Sequence, residues 1–208
     1  SHAAFWMGFT PGVEGCSDPL LNPKAGKLFR MAFAGHPGRD EEGFQLEGAN
    51  VIEGFRRKGY RTIGTGAVDW FNPDTETGAV LGSSFERFYF SGNTWSLQDQ
   101  LDWIQYELHE SQSDKPVFVF LNVGETHVPY WHQGADWPCR PSPCIPFGGR
   151  RCNAQESSRR QRACLEWVDG QLASLLQRFA SSTVMICADH GDCWGEDGLW
   201  EHGISHPA

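Results

Sequence analysis

Apolar residues along this chain fall into two patterns: short continuous runs, and longer stretches in which they return every three to four positions. The first predicts buried strands and the second amphipathic helices. Thr183-Val184-Met185-Ile186-Cys187-Ala188 and Val117-Phe118-Val119-Phe120-Leu121-Asn122-Val123 are of the first kind. Leu97, Leu101, Ile104 and Leu108 share one helical face, with Ser96 as the cap and Asp99 three residues on. Cys164, Val168, Leu172, Leu175 and Phe179 do the same within Ser157 to Phe179. Glu47 to Lys58 predicts a further helix, stopped by Gly59 and followed by a short strand at Tyr60 to Gly64. Helices alternating with buried strands predict an α/β fold, with a central, mostly parallel sheet flanked by helices in a single domain over residues 1–208.

Both long apolar runs end in reactive side chains. The run at 183–188 stops at Asp189-His190-Gly191, followed by Gly195-Glu196-Asp197-Gly198-Leu199-Trp200-Glu201-His202-Gly203. The run at 117–123 leads into Glu125-Thr126-His127-Val128-Pro129-Tyr130. In an α/β sheet, ligands bind at the C-terminal ends of the strands, where a carboxylate and an imidazole on a glycine-bearing turn are placed to hold a metal. Taken alone, Asp-His-Gly reads more simply as a polar turn after a buried strand.

These two segments, together with Ser1-His2-Ala3-Ala4-Phe5-Trp6-Met7-Gly8-Phe9-Thr10-Pro11-Gly12 and in this order, resemble the alkaline phosphatase superfamily and, within it, the sulfatase-like hydrolases. The resemblance implies a substrate-facing histidine at His127, two metal ligands at Asp189 and His190, and a further active-site histidine at His202. His206 ranks below His202, for that role or as another ligand. Gly59-Tyr60-Arg61-Thr62 is similar to the family's Gly-Tyr-x-Thr element. The implied cofactor is a divalent metal, zinc or manganese first and calcium or magnesium next. Ala3 to Pro11 resembles the stretch that follows the family's nucleophile, so a Ser or Thr nucleophile is expected three positions before Ser1. The family's first-strand aspartate is expected upstream as well. The chain is accordingly expected to be an interior fragment of a longer enzyme, incomplete at both ends, inactive by itself and poorly stable.

Position 2 separates substrate classes. Formylglycine sulfatases resemble one another in carrying arginine where this chain has His2, and histidine there looks more like branches that act on phosphate esters. The first expectation is therefore a metal-dependent hydrolase of phosphate monoesters or diesters. A sulfate-ester hydrolase is the alternative, and a noncatalytic binding protein that retains the fold is a third.

The resemblance implies a small-molecule phosphate or sulfate ester as the partner, and composition makes other partners less expected. Seventeen Lys and Arg against 26 Asp and Glu leave a formal charge of −9, which excludes nucleic acid as the expected ligand. No membrane segment is visible, because no run approaches the roughly 18 apolar residues that one needs. Arg56-Arg57-Lys58 and Arg159, Arg160 and Arg162 are expected on solvated helix faces, and His36, His109 and His132 in surface or packing positions. Nothing in the pattern sets an oligomeric state. With seven cysteines, complete pairing within the chain is impossible. Cys164 and Cys187 are expected as small buried hydrophobes, while Cys139, Cys144 and Cys152 share a Cys-, Pro- and Gly-rich loop at about 131–153 that could carry a disulfide or a structural zinc, the zinc being less favoured because the spacing matches no compact zinc module.

Overall fold

A computed structural model describes residues 2–8, 29–31, 44–46, 50–110, 114–146 and 148–202. Along the chain these form α1 (His2–Met7), β1 (Phe29–Met31), β2 (Phe44–Leu46), α2 (Val51–Arg57), β3 (Arg61–Gly66), α3 (Glu76–Ser83), β4 (Arg87–Phe90), α4 (Leu97–Glu110), β5 (Val117–Leu121), α5 (Ala154–Arg178), β6 (Cys193–Trp194) and β7 (Trp200–Glu201). The main sheet has the order β4-β3-β5, and both of its pairings are parallel. The fold is α/β as expected, and β1 and β2 form a separate parallel pair.

The side-chain alternation of β5 shows how the layers form. Phe118 and Phe120 join a cluster with Trp6 of α1, Ile52 of α2, Phe71 from the turn before α3, Leu81 of α3 and Phe85 from the turn after it. Val117, Val119 and Leu121 face the other way, onto Leu97, Leu101 and Ile104 of α4 and Val168 and Leu175 of α5. Successive side chains of a strand point to opposite faces, so an uninterrupted apolar run is what a sheet covered on both sides requires. In β3 two glycines make room for the first cluster. A Cβ on Gly64 would lie 2.7 Å from the Phe85 ring, and one on Gly66 would overlap Phe71.

Local chemistry explains the helix ends. Asn50 accepts from the Glu53 amide at 2.9 Å and Asn153 from the Glu156 amide at 3.0 Å, both ordinary side-chain caps. The start of α4 differs from expectation. Ser96 directs its hydroxyl to Ser91 at 2.6 Å, and the Leu97 amide is taken by Glu125 Oε1 at 2.8 Å. A carboxylate from the loop after β5 thus supplies the acceptor, favoured by the positive end of the helix dipole. The Glu125 carboxyl is held above its ordinary range by burial, against the opposing pull of that backbone hydrogen bond.

Three further expectations are corrected. The run Thr183–Ala188 is not in a strand, for no described strand is hydrogen-bonded to it, and Val184, Met185 and Ile186 are 48%, 81% and 68% exposed. An apolar sequence supplies strand propensity, but a ladder needs a neighbour's amides and carbonyls. Cys187, expected inside, is exposed with it. Arg160 is buried rather than solvated. Its guanidinium donates to Glu156 at 2.7 Å and to the Pro138 carbonyl at 3.2 Å, beside the Trp137 ring.

Candidate active site

The loop after β5 carries the first part of the site. Asn122 joins the strand ends by donating its backbone amide to Thr65 at 3.1 Å and accepting from the Ala67 amide at 3.2 Å. Gly124 lets the chain pass against Thr94, whose carbonyl a Cβ would strike. Two tight turns follow, His127 amide to Gly124 carbonyl at 3.0 Å and Tyr130 amide to His127 carbonyl at 2.8 Å. They bring the His127 ring round to the crevice. The second part comes from the turn at Asp189-His190 and from the short antiparallel pair β6–β7, which returns the chain so that His202 lies beside His190.

Three imidazoles meet there. Ring centres are 4.0 Å apart for His190 and His202, 4.9 Å for His127 and His202, and 6.4 Å for His127 and His190. Each ring has Nδ1 against an oxygen: the Val128 carbonyl at 2.8 Å for His127, the Gly191 carbonyl at 3.2 Å for His190, and Asp192 Oδ1 at 2.6 Å for His202. A carbonyl or carboxylate can only accept, so in the neutral rings the proton sits on Nδ1 and the lone pair on Nε2. His2 approaches from α1, with Nε2 3.4 Å from the Asn122 amide nitrogen.

Charge in the crevice follows from burial and partners. Desolvation lowers His127 below the usual histidine value, and the nearby His202 adds to that, while the Val128 carbonyl opposes it. Desolvation takes His2 down to about 4 despite the field of Asp189. Burial alone would raise Asp192, but hydrogen bonds from His202 and Tyr130 outweigh it and hold the carboxyl below its ordinary range.

The donor set fits a divalent ion. Ligand atoms of His190, Asp192 and His202 lie within 4.8 Å of one another, and His190 Nε2 stands 3.6 Å from Asp189 Oδ2. Two acceptors facing each other across that gap are reconciled by a cation between them. A mixed nitrogen and oxygen set is the chemistry that zinc and manganese accept.

Asp189, His190, His127 and His202 therefore lie at one crevice, and His206 lies outside the described residues. Asp192 and Tyr130 had been given no role by the sequence reading. Asp192 had a visible signal, a third ionisable group two residues beyond His190, whereas Tyr130 reaches it only because distant loops meet. His132 packs on Trp167 with ring centres 5.0 Å apart, His109 is exposed, and His36 lies outside the described residues. Cys139, Cys144 and Cys152 are free thiols. Burial raises the Cys144 thiol to about 11, so it stays protonated.

Comparison with known proteins adds the family. One solved structure with a similar chain path is a protein in the alkaline phosphatase superfamily from Vibrio parahaemolyticus, 12% identical, with a TM-score of 0.37 over 60% of this chain and 31% of that one. The chain thus spans less than a third of that protein's length. A comparison with curated proteins gives no match. The family model described as Sulfatase matches residues 28–208, most of the chain and every described residue of the crevice except His2, and the chain belongs to the sulfatase family.

Proposed function

We propose that this chain carries the metal-binding and proton-handling part of a phosphate-ester hydrolase. The observation that carries the reading is the convergence of three imidazoles, each with Nε2 left as a lone pair, beside Asp189. Phosphate and sulfate esters resist attack because their oxygens are already negative, so catalysis needs positive charge where further charge develops. Asp189 and His190 would hold a divalent ion, which when bound polarises the ester and eases deprotonation of the nucleophile. The reading keeps that nucleophile, a Ser or Thr, where the resemblance implies it, upstream of Ser1. His127, kept neutral by burial, is suited to take up a proton at Nε2 and return it to the leaving oxygen. His202 presents a second lone pair 4.9 Å away, centre to centre, and can orient the transferred group. Asn122 and His2 close the crevice on the side of β3 and β5.

A sulfate ester is the second reading, favoured by the family match, while histidine at position 2 favours phosphate. The test uses the full-length protein, stripped with chelator and resupplied with zinc or manganese, on bis-(p-nitrophenyl) phosphate, p-nitrophenyl phosphate and p-nitrophenyl sulfate. Metal-restored turnover of a phosphate substrate is expected. Turnover confined to the sulfate would establish the second reading, and turnover of none would make the protein a binding module.

A further inference from the structure

His202 is the outer end of a hydrogen-bonded chain that runs into the protein. Its Nδ1 donates to Asp192 Oδ1 at 2.6 Å, and the Tyr130 hydroxyl donates to Asp192 Oδ2 at 2.7 Å. Trp194 Nε1 donates to that hydroxyl at 3.0 Å. The direction of every bond is set by chemistry. An indole nitrogen only donates and a carboxylate only accepts, so the hydroxyl between them takes the indole proton and gives its own to Asp192. With one Asp192 oxygen held by Tyr130, the other faces His202 Nδ1 and requires the proton there.

Two further observations set this chain apart from a chance surface contact. The Asp192 side chain is 4% exposed and Tyr130 is fully buried, and a carboxylate in that setting is tolerated only when both oxygens are satisfied. The backbone at both ends is also in the left-handed region, Tyr130 with φ 57° and Glu201, next to His202, with φ 64°. Neither is glycine, and the surrounding structure must hold both in place.

We propose that Tyr130 is a positioning residue, which acts through Asp192 to lock His202 as the Nδ1-protonated tautomer and so to present Nε2 to the crevice. The proposal rests on the functional reading above for what Nε2 then does, but the lock itself is independent of the reaction. In the metal-free protein it makes Asp192 the partner of His202, so that of the clustered His190, Asp192 and His202 it leaves His190, with Asp189 beside it, to take an ion. Orienting partners of this kind are typically worth about 10- to 100-fold in activity or metal affinity. An asparagine in place of such a carboxylate can offer its amide N–H to Nδ1 and stabilise the wrong tautomer.

The test is ¹⁵N-histidine labelling of the full-length, metal-free protein at neutral pH, with long-range ¹H–¹⁵N correlation to tell protonated from unprotonated ring nitrogens. His202 is identified by the signal lost in His202→Gln. The wild type is expected to show one Nδ1-protonated species. Asp192→Asn should move it to the Nε2-protonated form, and Tyr130→Phe, which keeps the ring, should give a mixture. kcat should fall about 10- to 100-fold in both with KM little changed, and thermal melts confirm that each variant is folded. An Nε2-protonated His202 in the wild type overturns the proposal, as does an unchanged tautomer in both folded variants. Failure of the wild type to turn over any ester would instead remove the functional reading, while the tautomer result would still decide the lock.

Discussion

Acidification should destabilise the metal-free protein through His2. Its ring lies between Trp6 and Phe71, with centres 5.8 and 5.1 Å away, and burial lowers its pKa from 6.5 to about 4. The folded state therefore binds fewer protons than the unfolded chain over that interval, and stability must rise with pH. The contribution is complete above pH 6.5 and is lost as pH falls through about 4. At about 1.4 kcal/mol per pH unit, the 2.5 units between 6.5 and about 4 amount to about 3 kcal/mol, large beside the 5–15 kcal/mol typical of a whole domain. The perturbation is His2→Gln, which does not titrate and keeps an oxygen that can accept from Asn122. Urea unfolding in chelator, at neutral pH and again near the folded pKa, measures the difference. The wild type should lose about 3 kcal/mol more than the variant over that range. Carboxylates titrate in both proteins and cancel, as does His127, whose lowered pKa gives both the same downward trend. Equal losses in the two proteins would refute the argument that a buried, neutral His2 sets this slope.

In the full-length enzyme, His127→Ala and His202→Ala should each lower turnover by about 10²- to 10⁴-fold, and steady-state kinetics that leave both unchanged would remove them from the mechanism. Glu107→Ala should cost about 3 kcal/mol in thermal or urea unfolding, because it leaves the largely buried Arg61 guanidinium without the carboxylate 3.2 Å away, its hydrogen bond to the backbone carbonyl of residue 107 being kept; a loss under about 1 kcal/mol would mean that solvent already screens the pair. Met185→Lys with Ile186→Thr should reduce association of this 208-residue chain, since those two side chains are 81% and 68% exposed. Light scattering that shows no change would place the adhesive surface elsewhere.

The parts of this protein that could be read along the chain are those in which neighbours in sequence share one environment. β5 needed only its alternation of Phe and Val, because a strand with helices on both faces is apolar at every position. α4 and α5 announced themselves by Leu97, Leu101 and Ile104 and by Cys164, Val168 and Leu175, since burial along one helical stripe repeats at a fixed interval. His127, Asp189, His190 and His202 were visible as ionisable residues in turns after apolar runs. What decided the rest was contact between distant segments. Glu125 displaced Ser96 as the cap of α4, Trp137 and Glu156 drew Arg160 inside, and Thr183–Ala188 stayed outside any ladder although its composition suits one. Asp192 took its partners from Tyr130, 62 positions away, and from His202, 10 away. Periodicity reports how a residue relates to its own helix or strand. Which oxygen meets which proton depends on how those elements pack, and that was settled only when the loops after β5, at Asp189 and beyond β7 came together.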